Sequence, residues 1–411
     1  MRRPLFFIFI FVFFISFLNI KDQEDFINKT NIQIQGIIKH KKEKDDYDEY
    51  VIGNYLFRDY TKGLDFDVGI VLNTKAKVKK LDRYIKSCGY NALVDIYDYK
   101  VVDKNLFYYN IGKISSTIKE NIRYLYKDDS NFINSLVLGL KGELSQDEID
   151  MFSNTGTSHI IALSGLHISI ICSFIVFFTS KINTFYKLFI VILILGIYTV
   201  MVGVSYSILR AIGFMILFYT SYFIDRKNDG ISNLCFLASL FILNNSYTIY
   251  NISFQLSFMA TLSIIYFYRY VNKYLKNSFL SVSISANILT LPIVYYNFKS
   301  ISTVSLLGNL VVVPFIGIII YLSIFSIILF NFNIYFYKIL VFINRVIIDF
   351  IYFLLDKISN LTFSYIEFEN TSFIYVLVYY IGVFTYMIYK EFKTLGEQKN
   401  DLQGYYKEHK I

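Results

Sequence analysis

The chain has 411 residues and a net charge of +8, and 55% of its residues are apolar. Runs of about 18 or more weakly charged residues recur from Ile160 onward, long enough to cross a bilayer, so the composition excludes a soluble globular chain. The basic residues form no single long block that would mark nucleic-acid binding, and three scattered cysteines (Cys88, Cys172, Cys235) exclude a disulfide framework or a cysteine-built zinc site.

Met1-Arg2-Arg3-Pro4, followed by an apolar run from Leu5 to Leu18, has the basic flank and short hydrophobic stretch of a signal peptide. No small-x-small cleavage site follows. Residues 1–20 therefore read as a retained membrane anchor whose arginines hold the N-terminus in the cytoplasm. Residues 21–130 then lie outside the cell and contain no spanning run. Alternation at 32–35 and β-rich stretches at 50–52, 66–72 and 92–102, punctuated by glycines, predict a small β-barrel or sandwich, with an OB-like barrel one candidate. This segment carries 20 basic and 18 acidic side chains. Its local cluster of Lys75, Lys77, Lys79, Lys80, Arg83 and Lys86 suits either DNA phosphate contacts or a solvated charged edge.

From Asn131 a short amphipathic helix and a capping-like Ser145-Gln146-Asp147-Glu148 lead into a membrane half spanning 131–390. Apolar segments are expected at about 160–179, 187–204, 206–224, 231–244, 252–268, 279–296, 303–330, 335–355 and 372–389. With the N-terminal anchor they number about ten, which returns the cationic tail, 391–411, to the cytoplasm. The shorter runs, 231–244 especially, suit re-entrant or interfacial positions. The fold class is a polytopic α-helical membrane protein with a small extracytoplasmic β-rich, OB-like domain.

Residues 157–167, T-S-H-I-I-A-L-S-G-L-H, hold two of the four histidines at the start of this apolar region. Polar groups crowded there need partners that lipid cannot offer. His159 and His167 would sit about 80° apart around a continuous helix and share a metal poorly. No Asp, Glu or Cys nearby completes a ligand set, so no metal or cofactor is expected. Ser164 and His167, at i and i+3, share a face and have the spacing of a nucleophile and its base. No acidic residue orients the imidazole, which equally suits a structural polar network. Gly165 predicts a helix break of the kind that lines cavities.

Arg210 has apolar sequence on both sides. It must face water or a partner, or snorkel to an interface from a break near Ser205. Arg345 and Asp349, four residues apart, read as a self-contained ion pair. Gln255, Asn309 and Pro314 are the polar-island members hardest to place against lipid. The two prolines of the membrane half, Pro292 and Pro314, predict local unwinding.

Taken in order, these islands resemble a known family. Residues 153–171 (S-N-T-G-T-S-H-I-I-A-L-S-G-L-H-I-S-I-I) resemble the G-x-x-H-L-L-A-I-S-G-L-H signature of the ComEC-type competence proteins. Leu138-Gly139-Leu140 resembles that family's leucine-glycine-aspartate turn, and Tyr206 to Ala211 its P-S-x-x-R-A, with tyrosine in place of the proline. Phe254 to Phe258 is similar to its F-Q-L-S-F, and Gly308-Asn309-Leu310 through Pro314 to its A-N-L-x-x-x-P.

The resemblance implies a channel for uptake of single-stranded DNA across the cytoplasmic membrane during natural transformation. It would place His159, Ser164, Gly165, His167, Arg210, Gln255, Asn309 and Pro314 around the path, and 21–130 where the family has its OB-like domain. The implied partners are single-stranded DNA, the lipid bilayer, a separate nuclease, a DNA receptor, a cytoplasmic ATPase and a second copy of the chain. Longer members carry a C-terminal metallo-β-lactamase-like domain. The tail here has only His409, so that domain is expected to be absent and the chain is read as a non-enzyme. Two further readings stand beside this one: an intramembrane hydrolase or transferase using Ser164 and His167, and a transporter of another polar solute.

Overall fold

The computed structural model describes residues 4–18, 20, 31–43, 46–80, 83–225 and 228–408. Arg2, Arg3 and His409, and the side chain of Lys80, lie outside the described residues. Helix α1 (Pro4–Leu18) packs Val12 against Leu234, Leu237 and Ala238 of a later helix. The expected anchor is thus joined to the membrane half.

Five strands follow: β1 (Asn31–Glu43), β2 (Asp48–Ile52), β3 (Tyr55–Asp59), β4 (Ile70–Lys80) and β5 (Leu93–Lys104). They close into a barrel in the order β1-β2-β3-β5-β4. All contacts are antiparallel except the closing pair of β3 with β5, where Leu56 faces Leu93 and Phe57 faces Val94. Alternation along β4 turns Leu72, Thr74, Ala76 and Val78 into the buried interior and leaves Lys75, Lys77 and Lys79 exposed. Ile38, Tyr50, Ile52 and Val94 complete the filling, and closure removes the free sheet edges that would otherwise pair with other chains. The short helix α2 (Arg83–Ser87) sits in the β4–β5 connection.

The β-rich character ends at Lys104. Helix α3 (Leu106–Tyr126) starts at Asn105, whose side chain accepts the Tyr108 N–H. Ile111, Ile118, Ile122 and Leu125 recur at helical spacing and form its inner face. That spacing is the sequence signal for a helix that the strand reading of 21–130 overlooks.

Helices α4 (Ser130–Leu138), α5 (Gln146–Asn154) and α6 (Ser158–Ile161) lead to the long apolar helices. The expected cap of α5 is present as a reciprocal box between Ser145 and Glu148. Then come α7 (Gly165–Phe178), α8 (Thr184–Val202), α9 (Tyr206–Phe223), α10 (Gly230–Asn244), α11 (Ile252–Leu275), α12 (Ser278–Phe298), α13 (Ser305–Asn331), α14 (Tyr337–Ser359) and α15 (Phe373–Glu408).

Among the described residues, five helices are long and apolar enough to cross a membrane: α8, α9, α12, α13 and the Phe373–Glu391 part of α15. The apolar helices α1, α7 and α10 are shorter. At about 1.5 Å per residue they rise roughly 21–23 Å, less than the ~30 Å hydrocarbon core. The protein is mostly helical, and its expected apolar segments resolve into these five candidate spans, shorter apolar helices, and α11 and α14. The expected unwinding at proline does not occur: α12 runs through Pro292 and α13 through Pro314. Each proline removes one N–H donor, while buried Leu289 and Ile293 in α12, and Val312 and Ile316 in α13, hold the turns beside it.

The largest core joins α3 to α6 with α13 and α14. Phe132 and Phe152 stack at 5.6 Å, and Tyr352 meets both rings edge-on. Within it, fully buried Asn344 donates to the Tyr126 hydroxyl at 3.1 Å and to Ser323 Oγ at 3.0 Å. The Arg345–Asp349 pair expected from spacing is replaced by another: Arg345 Nε donates to Asp129 Oδ2 at 2.9 Å. Packing of α14 against the turn after α3 presents a carboxylate that is mostly shielded from water, at 15% exposure, to the arginine.

The barrel seats on the membrane half through α2. Ser87 O accepts from the Tyr206 hydroxyl at 2.9 Å, and Lys86 O accepts from Asn245 Nδ2 at 2.7 Å. At a second seam, the His40 ring of β1 lies 3.8–3.9 Å from where a Cβ on Gly203 would stand, in the turn between α8 and α9.

Candidate functional site

The chain leaves α6 at Ile161, extends through Ala162 and Ser164, and re-enters helix at Gly165. The break expected at Gly165 therefore falls immediately before it. Ser164 caps α7: its Oγ accepts the Leu166 N–H at 3.3 Å, and its own N–H donates to His167 Nδ1 at 3.3 Å. The Ser164 Oγ lies 3.1 Å from the same ring nitrogen. An Nδ1 that accepts an N–H leaves the neutral ring's proton on Nε2, a tautomer assigned from the hydrogen bonds. His167 is fully buried, and Nε2 has no partner among the described residues. Histidine here takes the place that glutamate has in an ordinary capping box.

Arg210 stands one turn into α9, whose first turn is capped by Ser205 Oγ accepting the Ile208 N–H at 3.3 Å. Its Nη1 donates to Ser257 O of α11 at 2.8 Å. A Cβ on Gly165 would lie only 2.9 Å from Arg210 Nη2. The missing side chain at 165 is what lets the guanidinium rest against the first residue of α7. Arg210 Nε is buried without a partner among the described residues. Between Asp150 and Asp349 the only acidic residues are Asp225 and Asp229, and Asp229 caps α10 through the Ser232 N–H and hydroxyl. No carboxylate pairs with Arg210 among the described residues.

Helices α7, α9 and α11 run side by side in the same direction. Cys172 meets Met215 further along α7 and α9, and Ser207 meets Ser253 at 3.4 Å near the starts of α9 and α11. Their N-termini, each carrying partial positive charge, thus lie near the arginine. On the other flank of α7, the Tyr321 hydroxyl of α13 donates to Ile170 O at 3.1 Å.

The start of α13 packs on the loop that precedes α6. A Cβ on Gly308 would stand 2.4 Å from Thr155 O and 2.9 Å from Thr157 Cγ2, so the backbones approach as closely as glycine permits. Asn309 is buried beside this contact, with Oδ1 unpartnered among the described residues.

Of the residues singled out from sequence, Ser164, Gly165, His167 and Arg210 come together directly, and Asn309 lies on the helix that flanks them. Gln255 instead closes a turn, donating to Ile249 O at 2.7 Å just before α11. His159 on α6 and Pro314 on α13 are exposed, and neither makes a hydrogen bond to the arginine group. Two participants escaped sequence reasoning. The Ser257 carbonyl carries no side-chain signal, although it belongs to the F-Q-L-S segment. Tyr206 occupies the first position of α9, where a proline is conformationally suited. Its hydroxyl instead reaches Ser87 O and, at 2.9 Å, Thr248 Oγ1.

The basic cluster divides into two places. Lys75 pairs with Asp98 at 3.0 Å and Lys79 with Asp95 at 3.4 Å, while Lys77 faces Asp95 in register. Strand β5 thus supplies counter-charges along the outer face of β4. Arg83 stacks on Tyr250 and Lys86 on Tyr247 at the barrel seat. At the second seam, burial first, and Lys42 and Lys39 after it, lower the His40 pKa to about 4. Among the described residues no group of three His, Cys, Asp or Glu is placed to hold a metal ion.

A family model described as Competence protein matches residues 136–393, which take in every helix from α5 to α14. Among curated proteins, ComE operon protein 3 of Bacillus subtilis (strain 168) is 25% identical over 193 residues, covering 46% of this chain and 25% of that relative. No solved structure matches the chain.

Proposed function

This chain belongs to the competence protein family, and we propose that its membrane half is a channel for single-stranded DNA across the cytoplasmic membrane. The observation that carries this reading is the contact of Arg210 with Gly165 and Ser257, which joins three motif segments from three helices at one point. A polyanion crossing hydrocarbon needs a polar path that attracts without trapping, and one arginine among neutral polar groups and helix N-termini suits that better than a cationic wall.

The barrel, with its 1-2-3-5-4 strand order and parallel closing pair, reads as an OB-like domain seated on the outer side of the channel. Arg2 and Arg3 favour a cytoplasmic N-terminus, and the C-terminal tail is assigned to the same side. Strand degradation, DNA delivery and energy are assigned to partners: a nuclease, a receptor and a cytoplasmic ATPase. Deletion of the chain should abolish internalisation of labelled DNA in a transformable host; normal uptake in the deletion strain would refute the channel.

One observation favours a second reading, an intramembrane hydrolase: Ser164 Oγ lies 3.1 Å from His167 Nδ1. The Ser164 N–H bonds the same nitrogen, which is the signature of a helix cap. A serine-directed covalent probe that labels the wild type and not Ser164→Ala would favour the hydrolase over the channel.

A further inference from the structure

We propose that Arg210 is a phosphate-binding group, held on the Ser257 carbonyl in this structure and released to a phosphodiester oxygen when a strand arrives. This deepens the channel reading and rests on it for the identity of the natural ligand. The chemistry of the site stands on its own observations.

A guanidinium has five N–H donors and a full positive charge. At Arg210 one bond is made, from Nη1 to Ser257 O, and Nε has no acceptor among the described residues. The carbonyl accepts a hydrogen bond but neutralises no charge. The sequences of α7, α9 and α11 contain no aspartate or glutamate. A charge held among helices without a counter-ion is costly unless something compensates it.

The placement makes the deficit larger. Nη2 rests against Gly165, the first residue of a 14-residue helix, where the helix dipole is also positive. Arginine and helix end repel each other when alone and attract together when an anion lies between them. A purely structural arginine tying α9 to α11 would need only the Ser257 bond. It would require neither the missing Cβ at 165 nor the absence of acid.

His167, on the same first turn, holds the Ser164 cap that starts α7 beside the guanidinium. A phosphate, with several acceptor oxygens and at least one negative charge, matches a guanidinium with spare N–H donors, and arginine binds it through paired N–H groups. One arginine supplies few enough bonds that a moving strand is not trapped.

The test uses the full chain in lipid nanodiscs, with inorganic phosphate as probe and chloride at equal ionic strength as reference. Phosphate should raise the melting temperature of the wild type and leave that of Arg210→Gln unchanged. Gly165→Ala keeps the charge but pushes Nη2 aside, so its phosphate affinity should fall roughly tenfold, about the worth of one charge-assisted hydrogen bond. Equal stabilisation of all three proteins by phosphate, or none in the wild type, would overturn the site. Passage of a short single-stranded DNA and of its uncharged methylphosphonate analogue into proteoliposomes is measured separately. A phosphate response lost in Arg210→Gln without passage of either strand keeps the site and removes the channel. Passage with phosphate responses identical in wild type and variants keeps the channel and removes the site.

Discussion

The Nη2 atom of Arg210 lies 2.9 Å from the position that a Cβ on Gly165 would occupy, so the two residues define one another's place. Arg210→Ala removes the charge without hindering membrane insertion, since losing a charge eases insertion. Uptake of labelled DNA is expected to fall at least about tenfold while the amount of protein in the membrane is unchanged, the loss of one charge-assisted contact. Gly196→Ala in α8, where a Cβ meets nothing within 4 Å, serves as the neutral control. Normal uptake by Arg210→Ala at normal protein level would reduce the residue to a structural tie.

Gly308 presents a harder constraint. The atom closest to its missing Cβ is a backbone oxygen, that of Thr155 at 2.4 Å, which cannot swing away as the end of an arginine can. Gly308→Ala should destabilise the protein by about 1–3 kcal/mol, the usual cost of overpacking. The measurement is the melting temperature in detergent, with Gly196→Ala again as reference; an unchanged value would mean that α13 shifts freely against the loop.

For Arg345 the competing partners can be separated by double-mutant cycles. The cycle with Asp129 should give a coupling of about 1 kcal/mol, and the cycle with Asp349 only a few tenths, as expected for an exposed i,i+4 pair. A larger coupling to Asp349 would restore the pairing that spacing alone suggests.

Acid should weaken the seam at Gly203. Half-buried His40 stays neutral in the folded protein down to about pH 4, whereas an ordinary histidine protonates near 6.5. Between those values the unfolded state binds more protons. Stability from this residue is therefore full above pH 6.5 and declines as pH falls toward 4. His40→Gln should flatten the thermal stability profile between pH 4 and 6.5 relative to wild type. Parallel profiles would show that the ring is hydrated and titrates normally.

Much of the architecture is legible in the chain itself, because the controlling physics is local. Run length marks the apolar helices, period-two alternation at 32–35 marks β1, and Ser145 with Glu148 announces a helix start. The break before Gly165 and the special status of Arg210 are likewise visible, since a glycine among polar groups and a lone charge in apolar sequence each need an explanation.

What the tertiary structure alone decides is who meets whom. Arg345 turns to Asp129 rather than Asp349, five of the six basic residues (Lys75, Lys77, Lys79, Arg83 and Lys86) divide between a strand face lined with counter-charges and the barrel seat, Gln255 closes a turn, and Arg210 finds a carbonyl 47 residues away. Periodicity tells which face of an element is buried. The partner on the facing element depends on how segments far apart in sequence pack and register, and no local pattern carries that information.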